Sequence, residues 1–144
     1  MESVIIAGTD GSATALTALR RAASLASALG RQLAVISAFG HASTRQIQLD
    51  GESVTIHPEA AAEAVAHEAA ELIQREFPGL DVLPLAVQGR PADALVEEAE
   101  RRVADLIVVG NVRTQGLGRI LGSVASDVTH KASCDVYVVH TIQS

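Results

Sequence analysis

The chain has 144 residues, 48% hydrophobic and 19% charged, with a net charge of −6; that length supports one domain over residues 1–144 with a core of its own. The acidic balance, with no cluster of Lys and Arg, excludes the positive footprint that nucleic acid requires, and no apolar run is long enough to span a membrane. A single cysteine, Cys134, rules out an internal disulfide, and Met1-Glu2 runs straight into a strand with no leader, so a soluble, cytoplasmic protein is expected.

The first predicted element is a short β-rich run, Ser3 to Thr9, ending in the turn signal Asp10-Gly11-Ser12. Ser12 is placed to cap a helix whose apolar stripe is Leu16, Leu19, Ala22, Ala23, Ala26 and Leu29, closed by Gly30. Leu33 to Phe39 is a second, buried strand. Residues 40–57 show no clear period and are expected to form a long loop, of the functional or mobile kind. Pro58 then opens a second helix, with Glu59 and Glu63 suited to its N-terminus. Its predicted inner stripe is Val65, Ala69, Leu72 and Ile73, with Glu71 and Arg75 paired outside and Pro78-Gly79 ending it.

Val82 to Val87 is a third strand, which Pro84 pushes toward an irregular or edge position. A third helix follows Gly89-Arg90-Pro91, with Ala94, Leu95, Ala99 and Val103 inward. Leu106 to Gly110 is a wholly apolar fourth strand, as expected for one covered on both faces. A short helix over residues 123–132 and a fifth strand, Val136 to His140, complete the series. Strands alternating with helices imply an α/β fold with a five-stranded, mainly parallel sheet sandwiched by helices. Ligands of such sheets bind beyond the carboxyl ends of the strands, where strand order reverses. The turns at Asp10, Phe39-Gly40, Gly89 and Gly110 all fall at that edge.

Between Gly110 and Gly122-Ser123 the chain reads GNVRTQGLGRILGS. Glycine admits a phosphate to backbone amides, and a helix start offers unpaired N–H groups and a favourable dipole. Ser123 adds a hydroxyl. Glycines that merely solve a turn are the competing reading. A P-loop is excluded because the loop has no Lys, and the dinucleotide fingerprint fails because Gly116-x-Gly118-x-x-x-Gly122 is one residue too long and follows the fourth strand.

The segments IIAGTDGSATALTALRRA, GRPADALVEEAE, ADLIVVGN and LGSVASDVTHKASCDVYVVH together resemble the universal stress proteins, over nearly the whole chain except residues 40–57. The resemblance implies a Rossmann-like sheet, a homodimer joined through the C-terminal strand (Val136 to Ile142), and a site for adenine nucleotides. Asp10 would face the ribose, Thr9 and Ala38 would line the adenine pocket with Gly89 and Val109 nearby, and Gly110, Gly122 and Ser123 would hold phosphate. The family's glycine signature is altered here. Arg113 stands at its second glycine, and eleven residues separate Gly110 from Gly122 where the signature has twelve. Arg113 either fills the phosphate channel or grips an anion, while Gly116 and Gly118 restore some backbone freedom. The expected ligand is therefore AMP or cyclic AMP in preference to ATP, with Mg only if ATP binds. The alternative is a nucleotide-free dimer acting through protein contacts.

His57, Glu63 and His67 invite a metal reading, but a solvated helix face explains them better. Asp10 has its own alternative role as a turn residue. No constellation specifies acid–base or covalent chemistry, so a binding or signalling protein is expected rather than an enzyme.

Overall fold

The computed structural model describes residues 3–40, 45–113 and 121–142, with Arg45, Gln46, Ile47, Ile56, Val112, Arg113 and Ile142 in their backbone only. Along the chain run β1 (Val4–Gly8), α1 (Ala13–Leu29), β2 (Gln32–Phe39), β3 (Arg45–Leu49), β4 (Glu52–Ile56), α2 (Pro58–Glu76), β5 (Val82–Gln88), α3 (Pro91–Arg102), β6 (Leu106–Arg113), α4 (Ser123–Lys131) and β7 (Asp135–Ile142). Five of the strands form a parallel sheet in the order β5-β2-β1-β6-β7.

The period of two along each central strand divides the core. Ile5, Ala7, Leu33, Val35 and Val108 face α1 and α2. Their neighbours Ile6, Ala34, Ile36, Ile107 and Val109 face α3 and α4. Both layers are built from small aliphatic side chains, so the helices lie close on the sheet. Ser12 caps α1 by accepting the Ala15 amide at 3.1 Å, and Gly30 closes the helix in the left-handed region at φ 67°.

Four expectations need correction. Residues 45–56 are not a structureless loop: β3 and β4 form an antiparallel hairpin. Its turn is Asp50-Gly51, both at positive φ (52° and 80°), the pairing that a two-residue hairpin turn demands. The buried face of α2 is Ala62, Ala66, Ala70 and Ile73, because small residues four apart let the helix approach the sheet, while Val65, Ala69 and Leu72 are only half buried. The pair Glu71–Arg75 does not form; the α2 carboxylate that finds a partner is Glu76, 2.7 Å from Arg20 of α1. Val103 does not face inward: it ends α3 in the left-handed region at φ 52° and is 76% exposed.

Pro84 stands in β5, an edge strand paired only with β2, where its missing N–H is tolerated. Strand β6 runs three residues beyond the predicted end, through Asn111 to Arg113, paired in register with β7 from Gly110↔Val139 to Arg113↔Ile142. Among the described residues no helix is long and apolar enough to cross a membrane.

Candidate functional site

The chain leaves β1 toward β2 on one side and returns through β6 on the other, so strand order reverses between β1 and β6. Both strands end at the same edge, and the helices that follow them, α1 and α4, pack on opposite faces of the sheet. A cavity of about 590 Å³ opens at this point. Its walls are the β1–α1 turn, the end of β2, the first turns of α2, β6 from Val109 to Asn111, and the start of α4. Asp10 is the only charged side chain among the described residues that line it.

The turn that carries Asp10 is held by its own side chains. Gly11 (φ 85°) donates its amide to Thr9 Oγ1 at 3.1 Å, and Ser12 donates its amide to Asp10 Oδ1 at 2.9 Å. The hydroxyl of Ser12, and after it the Ser12 amide, hold the Asp10 carboxyl below the usual carboxylate range. Asp10 is therefore a turn-forming aspartate, and it is also an exposed carboxylate at the cavity mouth. In the second of these roles it can accept a hydrogen bond from a hydroxyl donor.

Across the cavity, Ser123, Val124 and Ala125 line the wall with the first turn of α4. Amides in a first helical turn have no intrahelical acceptor, and among the described residues no side chain caps this helix. The α4 start thus offers N–H groups and the positive end of a dipole to an anion.

Two glycines have specific packing reasons. A Cβ on Gly110 would stand 3.3 Å from the Ala18 Cβ, so this residue lets α1 rest on β6. A Cβ on Gly122 would stand 3.3 Å from Asn111 Oδ1, and that oxygen accepts the Gly122 amide at 2.6 Å. Asn111 is 3% exposed, lines the cavity, and accepts the Thr141 hydroxyl on its backbone carbonyl at 3.0 Å. It was absent from the residues expected at the site. The signal for it was a lone amide side chain in the apolar run LIVVGNV.

Of the residues expected at the site, Thr9, Asp10, Ala38, Val109, Gly110, Gly122 and Ser123 all line this one cavity. Gly89 does not; at φ 139° it makes the β5–α3 turn and donates its amide to Phe39 O at 2.8 Å. Arg113 closes β6, and Gly116 and Gly118 lie outside the described residues. Among the described residues no three His, Cys, Asp or Glu side chains converge as metal ligands. Burial, and after it the carboxylates of Asp135 and Asp105, push the Cys134 thiol up, the opposite of what a reactive thiolate needs.

Comparison with known proteins gives a consistent result. Residues 1–140 match the sequence profile of the Universal stress protein family. A universal stress protein of Mycobacterium tuberculosis is 37% identical over 141 residues, covering 95% of each chain. Among solved structures, a universal stress protein in complex with cAMP is 33% identical, with a TM-score of 0.73 over 97% of this chain and 98% of that one. The universal stress protein of Archaeoglobus fulgidus in complex with dAMP is 25% identical, with a TM-score of 0.70 over 96% and 98%.

Proposed function

The chain belongs to the universal stress protein family, and from that premise we propose that it binds an adenine nucleotide as a stress-response or signalling module. The observation that carries this reading is the pairing of opposites across one cavity: a carboxylate at Asp10 on one wall and the uncapped α4 start at Gly122-Ser123 on the other. A carboxylate accepts ribose hydroxyls, and unpaired amides with a helix dipole accept phosphate. The adenine moiety falls to the apolar wall between them, which includes Ala38 and Val109. Related proteins with bound cAMP and dAMP support the same ligand class.

Within that class the reading favours AMP or cyclic AMP over ATP. Its support is the altered signature: Arg113 where the family has glycine, and a loop shorter by one residue, which leaves fewer amides for a triphosphate. Mg enters only with ATP. Mass spectrometry of the purified protein after denaturation tests the reading through co-purified nucleotide, and calorimetry with AMP, cyclic AMP and ATP ranks them. ATP binding far more tightly than the other two would overturn the preference; no binding of any of the three would overturn the function.

We further propose a homodimer joined through β7. That strand is an open sheet edge, and its Tyr137 hydroxyl accepts Arg21 Nη1 at 2.9 Å, which orders the side chain beside the edge. The same feature favours the second reading, a dimer that works through protein contacts without nucleotide.

A further inference from the structure

The hydrogen bond between Asn111 and Gly122 fixes more than the position of α4. A backbone N–H only donates, so the Asn111 atom facing Gly122 must be the carboxamide oxygen. The carboxamide is planar, and its orientation is thereby set: Nδ2 points away from Gly122. Among the described residues nothing accepts a hydrogen bond from Nδ2, although Asn111 is 97% buried by its 3% exposure. Among the described residues no side-chain nitrogen or oxygen is sealed from solvent without a partner, and Asn111 lines the cavity, which is where its Nδ2 finds open space. A buried amide donor that faces a cavity beside an uncapped helix start is a built half-site for an anion.

We propose, resting on the nucleotide reading above, that Asn111 is the specificity-determining residue for the phosphate group. Its Oδ1 anchors the α4 start and its Nδ2 donates to a phosphate oxygen alongside the amides of Ser123 and Val124. The division of labour explains why a strand that is mostly Val, Ile and Leu spends a buried position on an amide. It also explains the glycine at 122, since any side chain there would crowd the Asn111 oxygen. The ligand feature read by Asn111 is the anionic oxygen, not the base or the sugar.

The substitution Asn111→Asp separates the two roles. It keeps an oxygen for the Gly122 amide and sets a negative charge near a helix N-terminus, which the dipole tolerates, but replaces the phosphate donor by a like charge. Isotope-labelled protein is titrated separately with inorganic phosphate, adenosine and AMP while the Asn111 side-chain amide signal is followed, and calorimetry repeats the series on the variant. Phosphate and AMP are expected to shift the Asn111 signal and adenosine to leave it in place. The variant is expected to lose roughly tenfold or more in AMP affinity with adenosine affinity held. AMP binding by Asn111→Asp at wild-type strength, or an equal loss of AMP and adenosine, overturns the proposal. A wild-type Asn111 signal that ignores both phosphate and AMP overturns it too. A response to phosphate without binding of AMP or adenosine sustains Asn111 and removes the adenine reading instead. If the variant fails to fold, the wild-type titration decides alone.

Discussion

Gly110 and Ala18 set the distance between β6 and α1: a Cβ built on the glycine would stand 3.3 Å from the alanine methyl group and 3.6 Å from Thr141 Cγ2. Ala18 and Thr141 are themselves buried, so neither has room to withdraw. The Gly110→Ala substitution is expected to cost about 1–3 kcal/mol by overpacking. Adding Ala18→Gly should recover part of that loss. Urea denaturation of the two variants checks it; a single variant as stable as the parent would show that α1 can shift.

Val103 holds a conformation that suits glycine, at φ 52° and ψ 50°, with most of its side chain in solvent. A branched Cβ in the left-handed region is strained, and little buried area would be lost on its removal. Val103→Gly is therefore expected to stabilise the protein by about 1 kcal/mol, raising the midpoint of thermal unfolding.

The Asp10 carboxyl titrates below its ordinary value because Ser12 donates to the charged form. The sign follows from linkage: the folded pKa lies below the unfolded one, so this contribution to stability is present above the unfolded carboxylate value. It is lost as pH falls through the lowered folded value. Ser12→Ala should move the Asp10 pKa upward, read by carboxyl NMR titration. It should also cost roughly 1 kcal/mol through loss of the α1 cap at Ala15.

Sedimentation velocity at micromolar concentration is expected to show a dimer, and a monomer under those conditions would remove β7 as an interface. Charge introduced on the open edge of β7 should shift the equilibrium toward monomer.

The alternation of strands and helices was legible because each central strand is a largely apolar run bounded by turn residues. What escaped detection did so for physical reasons. Gly110 reads as the end of a strand when glycine is taken only as a breaker, yet here it is a packing residue within the strand, and Asn111 behind it was hidden with it. The hairpin was masked because its two strands are short and set among Gly, Ser, Thr and Gln, even though Gln46, Ile47, Gln48 and Leu49 alternate and Asp50-Gly51 is a hairpin turn pair. The expected stripe of α2 shares only Ile73 with the buried one, because close approach of helix to sheet selects the alanines at 62, 66 and 70 over Val65 and Leu72. The β1–α1 turn and the α4 start were read correctly because capping and turn chemistry are local in sequence; that they share one cavity follows from the strand order.

The two borders of the main sheet are unlike. Pro84 removes a donor from the rim of β5, while β7 carries no proline among its residues. A ribbon with two adhesive rims can add copies without end, and one with a single adhesive rim is satisfied by one copy of itself. If β7 joins two copies as proposed, a lone imino acid on the far border would act as a chain terminator, biasing edge-to-edge assembly toward a closed pair and away from fibres.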